Sequence, residues 1–436
     1  MNMVKKYTVN WNGEPRLLII PGENIAAEVA MTDFPPLSDT WQAMAEALEN
    51  PVGCAPLSQM LKPGSQVALL TGDRITDVML GARDHLGLEL LDYLNRRGVR
   101  DEDVTLVYAG GAHANPDWEN RLGRDLLQRV RTMKHDPRDD QSQKFVGITS
   151  RCTPVWVNRA VVDADVRLAI GEISPTVHGG WCGGGKIILP GVVGMDTIQQ
   201  NHHFVIKNIN TLGLADGNHM RLDMEEAARL AGLDMKVDVL VNSNGQIVDV
   251  YAGDFVAEHR AALGRAREIW MTRMEPADIF VVYPGEGFER HLSSSFWIRL
   301  EGADVGLKSD GIIILVASAA GGWASDTAIA QDMTGRAEML RMSTEELARS
   351  MVRKEGNIRS SAMLYSAKRV LEKRRVFLVC DGIEAQDARE FGFQHCTRRF
   401  EEALGTALED RGKDARIAVN IQKGPVGWRT MPWREG

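Results

Sequence analysis

Residues 66–109, QVALLTGDRITDVMLGARDHLGLELLDYLNRRGVRDEDVTLVYA, decide the fold. Two apolar runs of strand length, 66–70 and 104–109, bracket a helix-like stretch from about Asp77 to Arg97 that stops near Gly98. Strand, helix and strand at this spacing read as a βαβ unit. A further apolar run, Val166–Ile170, precedes a glycine-rich stretch. Residues 236–252, KVDVLVNSNGQIVDVYA, set Asn-Gly between two alternating runs, the pattern of a tight hairpin. Helical patterning follows from Asp254 to about Met274, and Pro276 marks a boundary. A second series of apolar runs lies at 278–284, 311–322, 375–382 and 415–421. The N-terminus, MNMVKKYTVNWNGEPRLLII, reads as a first strand or hairpin. The expected fold class is α/β, with two α/β domains and the active site in the cleft between them. Residues 1–274 would carry the catalytic machinery. Residues 275–436 would form a C-terminal α/β domain whose last segment could pack back on the first.

At 436 residues the chain is too long for one ordinary core. Its 44% hydrophobic and 25% charged residues are the mix of a globular protein in water. A formal net charge of −8, with no long block of Lys or Arg, argues against a nucleic-acid or anionic-membrane partner. No apolar run has the length of a membrane span, and the N-terminus lacks the apolar core and small-residue cleavage site of a signal peptide. The five cysteines, Cys54, Cys152, Cys182, Cys380 and Cys396, are scattered and never form C-x-x-C. A disulfide framework or structural zinc is not expected, and a reducing cytoplasm is.

The richest segment is Gly171–His203, GEISPTVHGGWCGGGKIILPGVVGMDTIQQNHH. Gly180 to Lys186 formally matches G-x-x-x-x-G-K, but Ile187 stands where a P-loop needs Ser or Thr for magnesium. Pro190 and Gly191 follow at once and oppose a helix opening at Lys186. A nucleotide-hydrolase reading is therefore poor, and a glycine-rich surface turn is the bland alternative. A different chemistry suits the residues. Successive glycines let backbone approach a bulky ligand, a lysine beside them can be a nucleophile or covalent anchor, and a nearby imidazole can bind a borderline metal.

The segment resembles the signature of the nickel-dependent lactate racemase family, in the residues Pro175, Gly183, Gly184, Lys186, Pro190, Gly191, Asn201 and His202. Residues 54–78, 98–116 and 223–260 extend the resemblance. It implies an isomerase, a racemase or epimerase acting on a 2-hydroxy acid or sugar acid by proton-coupled hydride transfer to a nickel-pincer nucleotide. That cofactor is a pyridinium-3-thioamide-5-thiocarboxylic acid mononucleotide carrying nickel. Lys186 would bind it covalently and His202 would be the nickel ligand. Gly183, Gly184, Asp73 and Trp181 would contribute to cofactor binding. His113, after a strand and a Gly-Gly turn, would be the general acid/base, its imidazole suited by a pKa near working pH. The resemblance also implies cofactor-biosynthesis enzymes as partners, so a recombinant sample made without them could lack the cofactor. An alternative in the same family is a cofactor carrier or sensor without racemase activity.

Three departures matter. The family's second catalytic His directly follows the loop proline, where this chain has Thr176; His178, two residues on, is the candidate replacement. The family's early loop ends in an Arg that binds the substrate carboxylate, where this chain reads Asp73-Arg74-Ile75-Thr76-Asp77. Arg74 could substitute, or Arg74 and Asp77 could be a solvated pair at a helix start. The family's glycine-tyrosine-proline run leading to Gln and Lys is blurred around Tyr283–His291. His291 and Arg299 are the candidate polar replacements for the substrate. Trp181 and Cys182 sit inside the anchor loop, and His135, His219 and His259 read as structural or loop residues.

Overall fold

The computed structural model describes residues 4–72, 86–113, 118–207, 211–323, 340–355, 358–421 and 430–433. The chain forms two compact units. One comprises Asp33–Ser174 and His178–Arg267, the other Met1–Thr32, Pro175–Val177 and Glu268–Gly436.

The first of these units is built on a six-stranded sheet. Its strands run in the order Ile247–Gly253, Met235–Val241, Val166–Glu172, Val67–Thr71, Val104–Tyr108, Arg131–Lys134. Five are parallel, and only the edge strand Ile247–Gly253 is antiparallel to its neighbour. That edge is the arm of the hairpin expected from Asn-Gly. Asn242 and Gln246 close the turn, and Gly245 takes a positive φ of 75° that a side chain would resist. The central strands Val67–Thr71 and Met235–Val241 are buried along their whole length, because helices cover both faces of a parallel sheet. Helix Leu86–Asn95 buries Leu86, Leu90, Leu91 and Leu94, a stripe at helical spacing. Helix His219–Ala231 begins where the Asn218 side chain accepts from the Arg221 amide and ends at Gly232 in the left-handed region.

The order of these strands has one reversal. From Val67–Thr71 the chain steps outward through two strands, then returns to place Val166–Glu172 on the other side of Val67–Thr71. Loops leaving the carboxyl ends on either side of such a reversal diverge and leave a crevice.

The other unit has a six-stranded, fully parallel sheet. Its order is His395–Thr397, Arg375–Val379, Leu307–Val316, Ala277–Tyr283, Ile417–Ile421, Ile25–Glu28. The N-terminal segment thus supplies an edge strand to the C-terminal sheet. Its hairpin, Val4–Trp11 with Glu14–Pro21, buries Val9, Leu18 and Ile20 against one sheet face together with Phe400 and Leu404 of helix Phe400–Arg411. Leu292, Leu300, Leu364 and Leu371 fill the opposite face. Among the described residues no helix is long and apolar enough to cross a membrane.

Candidate active site

An open pocket of about 570 Å³ lies at the carboxyl ends of the first sheet's strands, beside the reversal. It is built wholly within the unit that holds that sheet. Three kinds of segment wall it. Gly72, Ala109, Gly110 and Ile170–Glu172 continue or end three neighbouring strands. His113 follows a turn closed by its own amide on the Gly110 carbonyl at 3.0 Å. Cys182, Gly183, Lys186, Ile187, Pro190 and Gly191 come from the glycine-rich loop, and Lys236 from the next strand.

Two sequence candidates that lie 73 residues apart in number, His113 and Lys186, therefore face one space. Their segments are fastened directly, since the Gly111 amide donates to the Gly191 carbonyl at 3.0 Å. Side chains would forbid this approach. A Cβ on Gly111 would come within 2.7 Å of the Pro190 oxygen, and one on Gly191 within 2.0 Å of the Ile187 oxygen. Lys186 sits in a single 3-10 turn, Gly184–Ile187, and not at the start of a longer helix. The phosphate-cradling helix of a P-loop is thus not formed there.

The loop's glycines answer mainly to what lies beneath them. Gly183 has φ 80°, and a Cβ there would meet Asp238 Oδ2 at 2.6 Å; one on Gly184 would meet the Phe255 oxygen at 2.8 Å and the His259 ring at 3.2 Å. Beside the close approach of a ligand expected from the sequence, these glycines make room for a buried polar layer. In that layer Asp238 Oδ2 accepts from the Gly184 amide at 2.7 Å and Oδ1 from Lys236 Nζ at 2.5 Å. His259 Nε2 meets the Cys182 carbonyl at 3.0 Å, while its Nδ1 meets Arg260 at 3.2 Å. Arg260 can only donate, so the ring is neutral with its proton on Nε2. Burial, with Arg221 adding, holds that imidazole well below its usual pKa. The Arg221 guanidinium is fully buried and donates to the carbonyls of Gly179, at 3.0 Å, and Trp181.

This layer sets a stability expectation. Arg221→Met leaves two buried loop carbonyls without their donor, at about 1–3 kcal/mol each. Glu225 keeps both contacts from Arg260, at 2.9 and 3.1 Å, so it is not left as an unpaired charge. Urea unfolding should show a loss of about 2–6 kcal/mol for the two together, and a midpoint equal to the parent's would contradict the role given to Arg221.

Residues 12–213 match the family described as the lactate racemase N-terminal domain. A lactate racemase of Thermoanaerobacterium thermosaccharolyticum is 28% identical over 284 residues, covering 63% of this chain and 65% of that protein, just under two thirds of its length. A lactate racemase of Lactiplantibacillus plantarum is 26% identical over 314 residues, covering 70% of this chain and 72% of that protein. The chain is thus similar to lactate racemases, with residues 12–213 matched to their N-terminal domain. Its fold agrees with the structure of the lactate racemase apoprotein from T. thermosaccharolyticum at a TM-score of 0.80 and 22% identity, over 99% of this chain and 100% of that one. A protein from Thermotoga maritima matches at a TM-score of 0.62 and 17% identity, over 92% and 99%.

The other residues expected from the family signature occupy several places. His178 has a positive φ of 65°, and its carbonyl accepts from Asn218 at 2.8 Å. Burial pushes its imidazole down to about 4, and the nearby Lys186 charge adds to the effect. Trp181 is fully buried and donates its indole N–H to the Gly213 carbonyl at 2.7 Å, so it braces the loop from inside. His202 is the last residue of helix Met195–His202 and is half-buried. Its neighbour Asn201 docks that helix, donating to Asp223 at 2.8 Å and to the Met220 carbonyl at 3.1 Å. Among the described residues no group of three His, Cys, Asp or Glu side chains forms a protein-only metal centre.

His291 and Arg299 belong to the other unit. His291 precedes helix Leu292–Gly306 and its Nδ1 meets the Gly321 carbonyl at 3.2 Å. Arg299 is buried, donates to the Pro284 carbonyl at 2.9 Å, and is lowered by burial to about 9, so it stays charged at neutral pH. Asp73, Arg74 and Asp77 lie outside the described residues. His135, which the sequence places in a loop beside Asp136, is instead buried. Its Nε2 meets the Val193 carbonyl at 2.9 Å and its Nδ1 meets Asn158 at 3.2 Å. The sequence reading missed Lys236, Asp238 and Glu258. A signal was present in KVDVLV, where two opposite charges two residues apart share one face of an otherwise apolar strand.

Proposed function

We propose that this chain is an isomerase, a racemase or epimerase of a 2-hydroxy acid or sugar acid. The observation that carries the reading is that His113 and Lys186 line the same pocket, at the strand ends where the fold leaves its crevice. Similarity to relatives named lactate racemase supports it.

The pocket's residues fit the family's nickel-pincer nucleotide. Lys186 stands on a wall shared with the Cys182 thiol, and a side chain at Gly72 would meet only the Ile187 methyl, at 3.5 Å, so that wall is kept open. Lys186 would hold the nucleotide covalently and His202 would bind the nickel. When bound, the group supplies an electron-poor ring able to take and return a hydride. The chain's own residues do the rest. His113 takes the proton from the substrate hydroxyl as the C–H bond breaks, and returns it when that bond reforms. His178, beside Lys186, is the candidate for the same task from the other face. The layer under the loop fixes the Lys186 turn, so the anchor and His113 keep their spacing. The enzymes that assemble the nucleotide would be partners in the cell. The five free cysteines fit a reducing cytoplasm.

Substrate choice follows from charge. A lactate site needs a cation to orient the carboxylate, and arginine suits that best. At the matching place this chain has Asp77, which would repel a carboxylate but accept hydroxyl groups. A hydroxyl-rich acid is the expected substrate, with Arg74 the candidate for its carboxylate. The test compares racemisation of lactate with epimerisation of sugar acids on reconstituted holo-protein. Efficient lactate racemisation, unaffected by Asp77→Asn, would sink this reading.

A further inference from the structure

Behind the pocket wall lies a carboxyl group that the proposed chemistry does not use. Glu258, on helix Ala257–Trp270, is fully buried. The charged groups that face it are Asp238 and Lys236, from strand Met235–Val241, and Arg221, from helix His219–Ala231. The next residue of its own helix, His259, is neutral and engaged with Cys182 and Arg260.

No hydrogen-bond donor among the described residues reaches either carboxylate oxygen of Glu258. As an anion it would be a second buried negative charge against Asp238 with nothing to solvate it, a strongly unfavourable arrangement. As an acid it has the one hydrogen that the pair lacks. Asp238 is the natural acceptor, since a carboxylate offers about four lone-pair sites and its other contacts are Lys236 Nζ and the Gly184 amide.

We propose that Glu258 is a positioning residue for Lys186: as an uncharged acid it donates its hydrogen to Asp238 and so holds that carboxylate between the Gly184 amide and the Lys236 ammonium. Gly184 opens the turn that carries Lys186, and Lys236 itself lines the pocket. The chain of contacts runs from Glu258 through Asp238 to both. Burial and the Asp238 charge raise the Glu258 carboxyl well above the usual range, in keeping with this arrangement. Gly171 belongs to the same device, because a Cβ there would lie 2.2 Å from Lys236 Nζ and 2.4 Å from Asp238 Oδ1.

The inference rests on Lys186 as the residue whose placement matters, but its test needs no cofactor. Infrared difference spectra of the apoprotein at neutral pH, parent minus Glu258→Gln, should show the carbonyl stretch of a protonated carboxylic acid. The pH dependence of Lys186 acylation by acetic anhydride, read by peptide mass spectrometry, gives the second measurement. Glu258→Gln keeps a donor for Asp238 and should leave the midpoint at the parent value. Glu258→Leu removes the donor and leaves Asp238 its full charge, so the midpoint should rise by about one pH unit, a tenfold change in free amine. If Glu258→Leu does not fold, the infrared band and the Glu258→Gln midpoint decide alone. Absence of the acid band, a Glu258→Gln midpoint shifted from the parent's, or an unshifted midpoint in folded Glu258→Leu each overturns the proposal. If Lys186 is not the cofactor anchor, holo-protein assays fail while these apoprotein results stand.

Discussion

Lys186→Arg, made together with cofactor-assembly enzymes, is expected to fold as the parent does yet carry no covalent adduct, no stoichiometric nickel and no isomerase activity above background. Arginine keeps the positive charge beside His178, so the electrostatics of the loop change little. What it removes is the amine. A guanidinium stays protonated at any working pH and is no nucleophile, whereas a lysine in a partly desolvated pocket can be. Intact-protein mass reads the adduct directly. His202→Ala separates anchor from metal: the adduct should remain while nickel falls away, because the imidazole is the single protein donor assigned to it. Full nickel in His202→Ala removes that residue from the metal. An adduct of equal mass in Lys186→Arg removes Lys186 as anchor, and with it the covalent part of the proposed function.

Five strands of the site-bearing unit's sheet were legible because they are apolar or alternating runs bounded by turn signals, and because Asn-Gly has one strong structural meaning; the polar edge strand Arg131–Lys134 was not. Four strands of the second sheet were legible, from Ala277–Tyr283 to Ile417–Ile421. The edge strands His395–Thr397 and Ile25–Glu28 were not. Ile25–Glu28 is short, exposed at alternate positions, and pairs with residues some 390 positions away, a partner no local pattern can announce. The site divides the same way. Lys186 and His113 were reachable because their chemistry is written beside glycines that the chain must have. The layer under them was not, since Arg221, Glu225 and Glu258 read along a helix as ordinary solvated charges. Only the packing of helices His219–Ala231 and Ala257–Trp270 beneath the loop turns those charges inward. The glycines accordingly have a second reason, room for Asp238 and His259.

His113→Ala is expected to lower turnover at least about a hundredfold, the lower end of what a positioned acid/base contributes. His113 lines the pocket, so truncation removes the proton acceptor and leaves the wall otherwise intact. His178 should behave differently in a way that pH can reveal. With an imidazole held at about 4 it is neutral at pH 7 and a weak base, one that takes up a proton only against a gradient of some three units. Burial is the larger cause and the Lys186 charge the smaller. Once the Lys186 amine is acylated that charge is gone, and the imidazole becomes a stronger base. Lys186→Met mimics the loss of charge without any cofactor. The His178 titration, followed by NMR of the apoprotein, should therefore move up from about 4 in Lys186→Met while staying below the ordinary histidine value, since burial remains. In loaded enzyme His178→Ala should then cost turnover comparably to His113→Ala. An unchanged His178 titration in Lys186→Met would show that the two side chains do not sense each other. Full activity in His178→Ala would leave His113 to serve both faces of the substrate alone.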